Sequence, residues 1–157
     1  MFGRTGDNRF DAPDRSFGVL YAAEDAHGAF VETFGDPLDV RLVSRVDLTK
    51  RCLARITSTR QLRLVDLTAK GLRQIVADAR ITSGDRALGQ RWALALWQHP
   101  SKPDGIAYRA RHDPSKEAVA LFDRAKTLVK SQPVGRLIDN LAALVEILNQ
   151  YGFGIVD

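Results

Sequence analysis

Residues 8–32 read NRFDAPDRSFGVLYAAEDAHGAFVE, from Asn8 to Glu32. Phe17, Gly18, Val19, Leu20, Tyr21 and Ala22 form an apolar run the length of one buried strand, bounded upstream by the turn-forming Asp11, Ala12, Pro13 and Asp14. Tyr21 then stands near the end of that strand. Glu24 and Asp25 suit the positive end of a following helix, and Ala26, Ala29, Phe30 and Thr33 recur at helical spacing until Gly35 and Pro37 stop it. Glu32 falls on the flank of the apolar stripe, from which it reaches a cleft beside the strand end. A helix packed beside its own preceding strand brings Tyr21 and Glu32 close, and Arg9, ahead of the strand, reaches over the same cleft. Taken alone, these residues predict a soluble α+β domain with an anion site near Arg9.

The rest of the chain sets bounds on that reading. Its 157 residues are most simply one domain, 1–157, long enough to bury a core without staples. The 45% hydrophobic and 27% charged fractions are those of an ordinary globular protein. The single cysteine, Cys52, excludes an internal disulfide and permits a reducing compartment. No apolar run approaches the roughly 20 residues of a membrane span, and the opening MFGRTGDNRF has no apolar signal core; the cytoplasm is the expected location. The balance of 23 basic against 19 acidic residues, +4 overall, favours acidic partners without choosing among a protein surface, a phosphate-bearing substrate and nucleic acid.

Downstream of the opening unit, the pattern predicts strands over 40–46, 52–57 and 62–67, with arginines interleaved among apolar residues as on a sheet with one wet face. Arg41, Arg45, Arg51, Arg55 and Arg63 read as that solvated face, because no aromatic residues are interleaved to stack on bases; direct nucleic-acid binding is not expected. Thr68 predicts the N-cap of a helix through about Ala79, with Leu72, Ile75, Val76 and Ala79 on one face. Ser83 or Asp85 caps a second helix that aligns Leu88, Trp92 and Leu96, with Trp92 and Trp97 as packing groups. Strands follow over 105–109 and 118–122 around a polar loop, His112 to Lys116, where Arg111 or His112 stands within reach of a substrate phosphate. A last helix spans about 135–150, ended by Gly152, with a final strand over 153–156.

Several chemistries find no support. His27, His99 and His112 lie far apart, Cys52 has no C-x-x-C companion and reads as part of a buried strand, and no HExxH helix is present, so no metal site is expected. There is no G-x-S-x-G elbow for a serine hydrolase, and no Walker loop or GxGxxG fingerprint for a glycine-rich nucleotide site.

The order of short motifs goes further. Arg9-Phe10 in its NRFDxP opening, the FGVLYAA strand with Tyr21, the helix ending in Glu32-Thr33, Gln90-x-Trp92-Ala93, the Asp104-Gly105-Ile106-x-Tyr108 strand and the Ala118 to Asp123 strand together resemble the RES domain family, named for an Arg, Glu, Ser set. The resemblance runs over nearly the whole chain. It implies a mixed or antiparallel sheet core with flanking helices, similar to the ADP-ribosyltransferase fold, and a toxin of a toxin–antitoxin pair that depletes NAD by cleaving its bond to nicotinamide. By the same resemblance Arg9, Tyr21 and Glu32 match the family's functional Arg, Tyr and Glu, with Arg9, Tyr21 and Arg111 as NAD-binding groups. NAD is then substrate, and no further cofactor is implied. The implied partner is a cognate antitoxin, a helical DNA-binding protein that blocks the cleft; self-association stays open. Where the family strand reads Tyr-x-Ser-Arg, this chain has Tyr108-Arg109-Ala110-Arg111, so Ala110 stands at the serine position. Water, inorganic phosphate and a protein side chain all remain open as acceptor, and a silent module that binds NAD or a protein without turnover remains the alternative. Arg4 is a further candidate for a substrate-facing arginine.

Overall fold

The computed structural model of the protein describes residues 2–37, 39–74 and 80–157. Strand β1 (Val19–Ala23) leads into helix α1 (Ala26–Phe34), followed by β2 (Leu42–Ser44), α2 (Arg45–Lys50), β3 (Leu53–Ser58) and β4 (Leu64–Asp66). Next come α3 (Ala69–Gln74), α4 (Arg80–Ser83) and α5 (Arg86–Gln98), then β5 (Gly105–Arg109), β6 (Glu117–Phe122), β7 (Val129–Gly135), α6 (Leu141–Tyr151) and β8 (Gly154–Val156). The central sheet has the order β1-β6-β5-β4. Its β1/β6 and β6/β5 pairs are antiparallel and its β5/β4 pair parallel, the mixed sheet with flanking helices that the motifs imply.

Register places the functional candidates. Tyr21 lies opposite Ala120, which is opposite Ile106 on the other side, and Ala118 lies opposite Tyr108. Because side chains alternate between faces, Val19, Tyr21, Ile106, Tyr108 and Phe122 share one face, and the small residues Ala118 and Ala120 on β6 leave room for the two tyrosine rings beside them. This face closes the main core with Phe10, Phe17, Leu67, Leu72, Ile81 and Ala93. Trp97 stacks on Phe17 at 5.1 Å, so both tryptophans pack against the core as expected. A second core joins α1 to α6 through Phe30, Val43, Leu48, Leu144, Ile147 and Phe153.

Helix ends follow from capping chemistry. The Asp25 carboxylate accepts from the Gly28 amide at 2.8 Å and is paired with Lys116 Nζ at 2.6 Å, which fixes the start of α1 to the loop before β6. Gly35 ends α1 by donating its amide to Val31 O. Asp85, not Ser83, caps α5, and Gly152 ends α6 at φ 68°, a left-handed conformation that glycine adopts freely.

Four expectations need correction. The strand expected over 40–46 stops at Ser44, whose hydroxyl accepts the Val46 amide and starts α2 instead. Cys52 is exposed and lies just before β3, not in a buried strand. The expected helix over 135–150 begins only at Leu141, behind Asn140 as its cap. Residues 129–134, assigned no element from sequence, form β7 together with Gly135, and β7 pairs with β3 as a separate two-stranded ribbon, while β2 pairs in parallel with β8. The helix expected from Thr68 appears as α3, and the expected packing of Ile75, Val76 and Ala79 lies outside the described residues.

Candidate functional site

The residues Arg9, Tyr21, Glu32 and Arg111 all line one cavity of about 780 Å³ at the edge of the central sheet. Tyr108, His112, Thr82, Ser83 and Arg86 complete much of its wall. The volume suits a small-molecule site, which typically occupies roughly 300–1,000 Å³, and the largely polar wall suits a charged ligand.

Glu32 is held from across the chain. One carboxylate oxygen accepts the His112 amide at 2.8 Å, and its second oxygen has no hydrogen bond among the described residues. The His112 ring is buried, with its side chain 3% exposed, and rests where a side chain on residue 35 would sit: a Cβ on Gly35 would approach the imidazole to 2.8 Å. Gly35 is therefore what lets the 110–116 loop close on α1. Asp36 joins the same corner, 3.2 Å from Arg111 Nη1 and 3.7 Å from His112 Nε2.

Tyr21 and Arg9 are positioned by a buried carboxylate. Asp11, 2% exposed, accepts on one oxygen from the Thr5 hydroxyl at 2.6 Å, the Gly6 and Asn8 amides and the Asn8 side-chain amide. Its other oxygen accepts from the Tyr21 hydroxyl at 3.0 Å, which in turn accepts the Phe10 amide at 2.9 Å. Burial pushes the Asp11 carboxyl up, but the hydrogen bonds from Thr5, Asn8 and Tyr21 outweigh it and hold the group below its ordinary range. Burial followed by the Asp11 charge pushes the Tyr21 phenol far up, so it stays protonated. The ring is the part of Tyr21 left to meet a ligand. Tyr108 is also kept protonated, by burial first and by the Glu32 charge second, while Arg9 opposes the shift.

Arg9 donates to Gly84 O at 2.8 Å, and its loop is tied to α5 by Gln90, which donates to both Gly6 O and Asn8 O. Burial, then the charges of Arg111 and Arg86, lower the Arg9 pKa from its ordinary value. Three guanidiniums thus crowd one opening, an arrangement that an anion between them would stabilise.

Sequence reasoning missed Asp11, Tyr108, Arg86 and the clamp from His112 to Glu32. Asp11 and Tyr108 stood inside the motifs and were read only as turn and strand; nothing in the sequence joins His112 to Glu32. Gln90, which the sequence offers only as part of the motif order, anchors the Arg9 loop. Arg4 is turned elsewhere, paired with Asp123 at 2.8 Å. Ala110 is 1% exposed in the main core and is not part of the cavity wall. Among the described residues no cluster of His, Cys, Asp or Glu is arranged to hold a metal ion, and no helix is long and apolar enough to cross a membrane.

No solved structure matches the chain. A probable toxin, y4kH, of Sinorhizobium fredii (strain NBRC 101917 / NGR234) is 32% identical over 111 residues, which are 70% of this chain and 87% of that protein. Residues 1–140, which contain the whole cavity, match the RES domain. With that match spanning most of its length, the chain belongs to the RES domain family.

Proposed function

We propose that this protein is the toxin of a toxin–antitoxin pair and depletes NAD by breaking the bond between nicotinamide and ribose. The observation that carries the reading is Glu32, held through one oxygen by the His112 amide and facing a cavity that also contains Arg9, Tyr21, Tyr108 and Arg111. Cleavage sends the electron pair of the glycosidic bond to the pyridinium nitrogen, so nicotinamide leaves neutral and needs no acid. The ribose carbon becomes an oxocarbenium-like centre, as in glycoside hydrolysis. The Glu32 carboxylate offsets that charge. Water or inorganic phosphate then forms the new bond to the carbon, and an attacking water loses its proton to solvent or to Glu32.

The other residues take binding roles. Arg9 and Arg111 hold the diphosphate with paired donors, and the crowding of Arg86 against Arg9 raises the gain from an anion there. The Tyr21 ring, fixed by its bond to Asp11, orients the nicotinamide. The partner in this reading is an antitoxin, a helical DNA-binding protein that covers the cavity. A second reading, a silent NAD-binding module, is favoured by Ala110 at the family's serine position.

The test is nicotinamide release from NAD by purified protein free of any partner, with and without phosphate. Glu32→Gln should fold normally and lower release by about 10² or more, the scale of a lost transition-state charge contact. Unchanged release would remove Glu32 from the mechanism. No release from folded parent protein would favour the silent module, and label from NAD ending on protein would indicate protein ADP-ribosylation.

A further inference from the structure

A second cleft of about 850 Å³ opens directly off the first, and the two share Tyr21, Ala22, Ala23, Ala29, Thr33 and Arg51 as a common seam. Its floor is the opposite face of the central sheet, where Leu20, Val119 and Leu121 alternate with the residues that build the main core. Its roof is the β3–β7 ribbon, which contributes Ile56 and Val129. Unlike the first cavity, this cleft has mainly apolar walls. The residues at the seam are mostly small, with alanines at 22, 23 and 29, so little side-chain bulk stands between the two cavities.

Charge is distributed unevenly along this cleft. The carboxylates at its end are all paired, Asp25 and Glu24 with Lys116 at 2.6 and 3.7 Å and Glu117 with Arg109 at 3.3 Å. Arg51 and Arg55 form no ion pair among the described residues, and the Arg51 guanidinium lies 5.9 Å from the Phe34 ring centroid, at the seam itself. A ligand suited to both spaces has a polar reacting end, a central anion and a flat, largely apolar far end.

Resting on the reading of the first cavity given above, we propose that the second cleft holds the adenosine half of the dinucleotide, and that Arg51 reads the diphosphate at the seam and makes the enzyme select a dinucleotide over a mononucleotide. The adenine ring lies between the apolar sheet face and the ribbon, and the phosphates cross the alanine-lined passage next to Arg51. Burial of a flat ring and a charge-assisted contact to phosphate are both absent from a substrate that ends at the first phosphate.

The experiment compares kcat/KM for NAD with that for nicotinamide mononucleotide in the parent, Arg51→Ala and Ala22→Leu, each checked for folding by circular dichroism. Binding of adenosine 5′-diphosphate is measured on the same proteins by calorimetry. The parent should favour NAD at least tenfold; both variants should lose most of that preference through the KM for NAD, and both should lose adenosine diphosphate binding. Equal use of the two substrates by the parent, or a preference untouched in both variants, overturns the proposal while leaving NAD cleavage intact. If neither substrate releases nicotinamide, the cleavage reading fails, and calorimetry still decides the cleft: adenosine diphosphate binding that Ala22→Leu abolishes supports it, and no binding overturns it.

Discussion

Removal of the Asp11 carboxylate strands the Tyr21 hydroxyl and frees the loop that carries Arg9, because Thr5, Gly6, Asn8 and Tyr21 all donate to it. Hydrogen bonds to a charged, buried acceptor contribute about 1.5–3 kcal/mol, so Asp11→Ala should lower stability by about 2–3 kcal/mol, seen as a lower urea midpoint at unchanged slope. The pH dependence has a definite sign. The folded Asp11 pKa is lowered, so its contribution is fully present above the unfolded value of about 4 and is lost as the pH falls through the folded one. Asp11→Asn should therefore flatten the loss of stability below about pH 4; an acid limb as steep as the parent's would show that other carboxylates set it. At this scale the sequence was legible where a motif named a side chain, as for Arg9, Tyr21 and Glu32. It was opaque where one residue acts through another: Asp11 reads as a turn former until folding brings Tyr21 against it, and Glu32 meets His112 only across the folded chain.

Helix α5 approaches the Arg9 loop at Gly89, where a Cβ would stand 2.7 Å from Arg9 Cγ and 2.8 Å from Arg9 O. In an open helix, alanine for glycine gains up to about 1 kcal/mol. Here the added carbon forces α5 away from Arg9 and strains the two bonds from Gln90, so Gly89→Ala should instead destabilise by about 1–3 kcal/mol and, on the function proposed above, raise the KM for NAD. A more stable variant with unchanged KM would show that the loop yields freely. The elements themselves were read unevenly, for identifiable reasons. Strand β5 matches its expected limits because it lies between two other strands of the sheet and begins at a glycine. The first two residues of helix α2 fall in the strand expected over 40–46 because Val40, Leu42 and Val46 sit at even spacing between arginines, yet Ser44 followed by Asp47 is a capping signal for a helix start. Strand β7 has no buried face to impose alternation and contains Pro133, so neither pattern nor propensity marks it.

The cavity belongs to no single segment: residues 7–9, 21–33, 82–86 and 108–112 all contribute to its wall. Helix α1 ties that wall to the second core, where Phe30 meets Phe153 edge to face at 5.4 Å. Phe153 is 7% exposed, so Phe153→Ala should lower stability by about 3–5 kcal/mol although it lies outside the cavity. Because α1 joins the two cores, circular dichroism and tryptophan fluorescence should report one coincident unfolding transition; separate transitions would show that the cores come apart independently. Sheet order was the least legible feature, since β1 finds its partner in β6 only after most of the chain has intervened. That long-range pairing has a consequence during synthesis. A nascent chain leaves the ribosome at about 5–20 residues per second, and until β6 has emerged β1 lacks its antiparallel partner and β5, which carries Tyr108, has no strand to link it to β1. A transcript broken before the codons for β6 thus yields a polypeptide in which the strands carrying Tyr21 and Tyr108 have nothing to join them.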